Sequence, residues 1–153
     1  MNKPKRRGKK RRGKPAARVT DIVVHAAPPK PTGNLIGIGS PNVFIGKLRA
    51  WRGVPTTVAP ALRTTKKATL IAEANPATLA SAKTTMFNTI NSLSGLADKH
   101  TCVLHGVGVV INGSRTVLIN KLPACRQGDT IVEISGPPTN KILKGCSSVF
   151  IGD

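Results

Sequence analysis

Three stretches of this 153-residue chain carry one eleven-residue pattern, and that repeat limits the fold more than any other feature. They are Ile36-Gly37-Ile38-Gly39-Ser40-Pro41-Asn42-Val43-Phe44-Ile45-Gly46, Val110-Ile111-Asn112-Gly113-Ser114-Arg115-Thr116-Val117-Leu118-Ile119-Asn120 and Ile142-Leu143-Lys144-Gly145-Cys146-Ser147-Ser148-Val149-Phe150-Ile151-Gly152. Each reads as strand, Gly-led turn, strand, a predicted β-hairpin with branched residues on both arms. Gly39, Gly113 and Gly145 stand where such a turn needs a positive φ. Phe44, Leu118 and Phe150 hold one register, which puts them on one strand face with the Val and Ile neighbours on the other.

A shorter motif accompanies each repeat: Lys14-Pro15-Ala16-Ala17-Arg18-Val19-Thr20-Asp21, Lys47-Leu48-Arg49-Ala50-Trp51-Arg52, and Lys121-Leu122-Pro123-Ala124-Cys125-Arg126-Gln127-Gly128-Asp129. Two small residues before an Arg suit a corner where backbones come close. Three such units predict pseudo-threefold symmetry. One hairpin is marginal in water, whereas three around an axis can share a narrow core.

Gly113 and Gly145 are 32 residues apart and Gly39 and Gly113 are 74 apart, so the second unit carries an insertion of about 42 residues, placed roughly at 58–97. Asn75 as N-cap and Pro76 at the first helical position open a predicted helix over about 76–94. Leu79, Ala82, Met86, Ile90 and Leu93 form its apolar stripe, and Gly95 is its stop. This helix either covers the flank of the β-body or docks a partner. The stretch from Thr64 to Ala74 reads equally as strand or helix.

Charge is concentrated at one end. The chain has 24 Lys plus Arg against 6 Asp plus Glu, a formal net charge of +18. Residues 1–14 form a basic, Gly- and Pro-containing arm that cannot bury enough apolar surface to fold alone. It either lies on a phosphate-rich polymer (DNA, RNA or lipopolysaccharide) or is a solvated tail or strap on a larger assembly. With 3 Phe, 1 Trp and no Tyr, an aromatic-lined substrate pocket and a base-stacking surface are both excluded as expectations. No apolar run follows the basic start, so no Sec-type signal peptide is expected, and 3 Cys fit a reducing place of synthesis, the bacterial cytoplasm.

Pro15-Ala16-Ala17-Arg18 spells the motif of the PAAR-repeat proteins, and Asp98-Lys99-His100-Thr101-Cys102-Val103-Leu104-His105-Gly106 resembles that family's Asp-x-His-x-Cys…His segment. The order from Gly113-Ser114 through Cys125-Arg126-Gln127-Gly128-Asp129 to Val149-Phe150-Ile151-Gly152 is also similar to the family's. The resemblance covers 15–57 and 98–153, not the arm or the insertion. It implies a mainly β fold, a small cone of pseudo-threefold β-hairpin repeats, here with one helical insertion. It further implies a monomer seated on a trimeric spike or hub of the VgrG or phage-hub type, at a virion tail tip or injection-particle baseplate (contractile phage tail, type VI secretion or a related system). The point would meet the target cell's outer membrane on ejection.

The family also implies a structural zinc ion near the point. His100, Cys102 and His105 lie close together, and His25, four residues after Asp21, would close the set from a distant stretch. These four would make a closed tetrahedral N₃S site. Soft thiolate with imidazole favours zinc over magnesium or calcium. Where many relatives have a Cys four residues after the last Asp, this chain has Glu133, which either binds metal in place of His100 or is an ordinary strand residue. Cys125 and Cys146 stand in positions given to Ala or Ser in the sister repeats, and read as small buried residues. Trp51 replaces the second Ala of the middle motif, and Val54-Pro55 replaces its Gly-Asp, a corner reshaped to launch the insertion.

The expectation is therefore a non-enzymatic membrane-piercing tip. A basic nucleic-acid-binding structural protein is the alternative. A zinc-dependent hydrolase is a weaker one, because it needs an open metal position and a base, and no H-E-x-x-H helix exists.

Overall fold

The computed structural model describes residues 13–26, 29–93, 95–102, 104–137 and 140–152; at 25, 26 and 29–32 the description is of the backbone. Nearly all of the basic arm therefore lies outside the described residues. In chain order the elements are β1 (Lys14–Ala16), β2 (Ile22–Ala26), β3 (Pro29–Asn34), β4 (Phe44–Ile45), β5 (Leu48–Arg49), α1 (Ala59–Ala72), α2 (Pro76–Ser92), β6 (His100–Cys102), β7 (Gly106–Val110), β8 (Leu118–Ile119), β9 (Leu122–Pro123), β10 (Thr130–Glu133), β11 (Asn140–Ile142) and β12 (Cys146–Ile151). The fold is a small, mainly β cone of pseudo-threefold hairpin repeats with one helical insertion.

The symmetry is written in backbone hydrogen bonds. Ala17 N–H donates to Cys125 O, Cys125 N–H to Trp51 O, and Trp51 N–H to Ala17 O, at 2.9, 3.0 and 3.0 Å. A second cycle runs two residues outward: Val19 N–H to Arg49 O, Gly53 N–H to Pro123 O, and Gln127 N–H to Pro15 O, at 2.9, 2.9 and 2.8 Å. These bonds tie the three units to one another around the axis. Ala16, Ala50 and Ala124 are all fully buried in one cluster, where three larger side chains would collide. The next layer holds Ala17, Trp51 and Cys125 together: one indole fills the axis and the two small residues make room for it.

Three arginine–aspartate corners repeat with the ring. Arg18, Arg52 and Arg126 donate their own N–H to Asp21, Asp98 and Asp129 at 2.7, 2.8 and 2.8 Å. Their Nη2 atoms reach the second carboxylate oxygen at 2.8, 2.8 and 3.1 Å. The middle corner thus recovers its carboxylate from Asp98, 46 residues on, across the whole insertion.

From these corners three hairpins, β2/β3, β10/β11 and β6/β7, rise into one sheet of order β3-β2-β11-β10-β7-β6. The seam between β3 and β6 is bridged by Thr101 N–H to Ile36 O (3.2 Å) and Ile36 N–H to the His100 Nδ1 atom (3.2 Å). Three two-stranded ribbons, β4/β5, β8/β9 and β1/β12, lie below the corners.

The sequence reading placed the ribbon turns one half-repeat too early. They lie at Gly46-Lys47 (φ 55 and 69) and Asn120-Lys121 (φ 52 and 67), paired positive φ values that match a two-residue hairpin turn twisting with its strands. The third ribbon has no turn, because β1 from the chain start pairs with β12. Gly39 does have φ +70, but Gly113 and Gly145 do not have positive φ. They are glycine because the backbone passes close by: a Cβ on Gly145 would meet Ala16 O and Pro15 O at 2.6 Å, and one on Gly113 would meet Pro123 Cβ at 2.9 Å. Phe44, Leu118 and Phe150 do share one face and are exposed, while Ile45, Ile119 and Ile151 are buried.

The insertion is two helices, not one. Asn75 caps α2 as expected, its Oδ1 accepting from Ala77 N–H at 3.0 Å, with Pro76 at the first turn. The undecided stretch before it is α1, whose Pro60 fits the same first-turn logic. Leu62, Met86, Ile90 and Leu93 pack with Val109, Ile111 and Val132 on the outer face of β7 and β10. The apolar stripe of α2 thus covers one flank of the β-body.

Candidate metal centre

Strands β2, β6 and β10 run in one direction, away from Asp21, Asp98 and Asp129. The fourth residue after each Asp is His25, Cys102 and Glu133. Period-2 alternation points Ile131 into the core, Val132 outward to the helices, and Glu133 inward again. At the end of the cone away from the ribbons, His100, Cys102 and Glu133 converge, with one ligand-type atom from each within 4.8 Å of the others. All three are buried, and the group could hold a metal ion.

His105 joins this group. Its Nδ1 lies 2.9 Å from Glu133 Oε2 and 3.9 Å from Cys102 Sγ. His100 Nε2 lies 3.9 Å from Glu133 Oε1. Asn140 Nδ2 donates to Glu133 Oε2, and Asn140 Oδ1 is buried with no hydrogen-bond partner among the described residues. His25 is in β2 opposite Lys30, and its side chain lies outside the described residues.

Two glycines shape the cluster. Gly108 is opposite both His100 and Glu133 in the ladder. A Cβ there would lie 2.7 Å from Glu133 Cγ, so glycine leaves that side chain its room. A Cβ on Gly136 would lie 2.7 Å from His105 ring atoms, and its φ of +76 turns the loop over that ring.

The donor set suits a divalent cation. Burial pushes the Cys102 thiol up from its ordinary pKa, and the nearby Glu133 carboxylate pushes in the same direction. A cation beside the thiol would reverse that electrostatic sign. The other thiols differ. Burial pushes Cys125 well up, as suits an inert core residue. Cys146 takes the place of Ser40 and Ser114 and is held below the usual thiol value by the Ser148 hydroxyl, 3.3 Å away.

Reading the sequence located His100, Cys102 and His105 and left Glu133 open; the structure brings all four together. Asn140 and Gly108 were missed. Asn140 carried no signal, whereas the repeated offset from Asp to ligand, plus a Gly on the intervening strand, marks the site in hindsight. The chain matches no family model, no curated protein and no solved structure. No helix among the described residues is long and apolar enough to cross a membrane.

Proposed function

We propose that the chain is the non-enzymatic tip of a contractile tail or injection machine. Its base caps a trimeric β-helical spike, and its apex, tied by a structural zinc ion, leads the spike through the target membrane. The observation that carries this reading is the threefold base. One chain closes two cyclic backbone rings on itself and presents Phe44, Leu118 and Phe150, all exposed, at three equivalent registers. A surface repeating three times is complementary to the blunt end of a threefold partner, and exposed ribbons offer β-structure to it.

Cys102 and Glu133, at the ends of β6 and β10, and His105, in the loop after β6, are the proposed ligands, with His25 as the fourth. His100 is the weaker candidate for that place. Its Nδ1 accepts from Ile36 N–H, which leaves the ring proton on Nε2, the atom facing the cluster. A ligating imidazole does the reverse and donates from its second nitrogen. His100 instead closes the seam between β3 and β6. One thiolate with imidazoles and a carboxylate favours zinc. The free energy of piercing comes from the sheath, so this chain's task is stiffness and seating.

The test is co-purification with the trimeric spike from assembled particles. The expected stoichiometry is one tip per three spike chains, lost in Phe44→Glu combined with Leu118→Glu. A tip that never associates with a threefold partner contradicts the proposal.

One observation favours a second reading, a polyanion-binding structural protein. Of the described carboxylates, Asp21, Asp98, Asp129 and Glu133 are buried and only Glu73 is exposed, while Lys14, Lys47, Arg63, Lys67, Arg115, Lys121, Lys141 and Lys144 are exposed. Steeply salt-dependent binding to duplex DNA, even with the arm lysines and arginines neutralised, would support it. A hydrolase reading fares worse, since Glu133, the one carboxylate at the cluster, is already engaged by His105 and Asn140.

A further inference from the structure

Lys66 breaks the pattern of its helix. The buried face of α1 is Ala59, Leu62, Lys66 and Thr69, a helical stripe in which a lysine takes an apolar position. It is 1% exposed, an unusual setting for an ammonium unless it is paired. Its Nζ donates to Glu133 O at 2.8 Å and lies 3.4 Å from Ile134 O.

Ile134 N–H donates to Val107 O, so at that residue β10 faces β7. Antiparallel alternation turns the carbonyl of Glu133 the other way. There Lys66 brings it a donor from a helix outside the sheet, and a buried carbonyl gains from one.

Glu133 is then held at two points, its backbone by Lys66 and its carboxylate by Asn140. We propose that the helical insertion braces the metal-bearing end of the cone, with Lys66 as the positioning residue that fixes Glu133 for the ion. This rests on the metal reading above. It gives the insertion a task within the chain: a helix holds the backbone of a strand residue at the cluster.

The test is Co²⁺ titration of the full chain, read by its visible absorption bands and by competition with a chelator. Lys66→Met keeps the length and apolar stem but loses the donor. It is expected to weaken Co²⁺ binding by about 10-fold or more, the usual scale for removing an outer-shell partner. The ligand-field bands are expected to shift because Glu133 moves, a change that loss of helix packing alone would not produce. Lys67→Met, its exposed neighbour, is expected to bind as the wild type does. Lys66→Gln retains an N–H donor and is expected to fall between the two; it supplies the reading if Lys66→Met does not fold. A wild type that takes no Co²⁺ would overturn the metal reading and this inference together. A wild type that binds, with Lys66 variants of unchanged affinity and spectrum, would overturn this inference alone.

Discussion

The two ends of the cone are held together in different ways. The base closes through backbone: two cycles of three hydrogen bonds, three alanines against one another, and three arginine–aspartate corners with the same geometry. The apex has no such repetition. There, one Cys, two His, one Glu and one Asn are drawn from three loops and strands, with Lys66 reaching in from a helix. Symmetry serves where identical small residues can meet on an axis. Where the three hairpins taper, an apolar layer runs out of volume, and a polar cluster that could hold an ion takes its place. The base should therefore govern global stability, and the apex should govern metal affinity.

The largest expected effect falls on the base. Asp98→Ala leaves the Arg52 guanidinium without its carboxylate and cuts the only corner that spans the insertion. A loss of about 3–5 kcal/mol in denaturant unfolding is expected. If Asp98→Ala cost no more than an exposed substitution such as Thr64→Ala, the three corners would not be equivalent.

Next comes the apex itself. Gly108→Ala places a methyl 2.7 Å from Glu133 Cγ, and metal affinity is expected to fall about 10–100-fold while circular dichroism stays that of the folded chain. Chelation of the wild type should loosen the apex before the base. Amide exchange is expected to quicken at 100–109 and 131–134 and to stay slow at Ala17, Trp51 and Cys125. Uniform acceleration across both ends would erase the distinction between them.

The smallest effect is a restoration. Cys146→Ser gives the third repeat the hydroxyl that Ser40 and Ser114 already carry in the first two, and a change of about 1 kcal/mol or less is expected in thermal unfolding.

The same contrast governs what the sequence disclosed. The repeats, the register of Phe44, Leu118 and Phe150, and the cap of α2 were legible because each is a local pattern tied to a local geometry. The ribbon turns were misplaced because Gly39-Ser40 is the more conspicuous signal, whereas the turn depends on two positive φ values at Gly46-Lys47 and Asn120-Lys121. Asp98 was read as part of the metal segment, and its role as partner of Arg52 was missed. That pairing is made across 46 residues, by tertiary closure. Helix α1 was ambiguous because Lys66 interrupts its apolar stripe, and the reason for that lysine lies in another strand.

The central claim is that one chain folds as a pseudo-trimer whose point is closed by an ion. Elemental analysis and X-ray absorption of the purified full chain test it most directly. The account predicts one zinc per chain, bound by a single sulfur with nitrogen and oxygen neighbours. A chain that holds no metal after growth in zinc-replete medium, or a zinc with no sulfur in its shell, would contradict it.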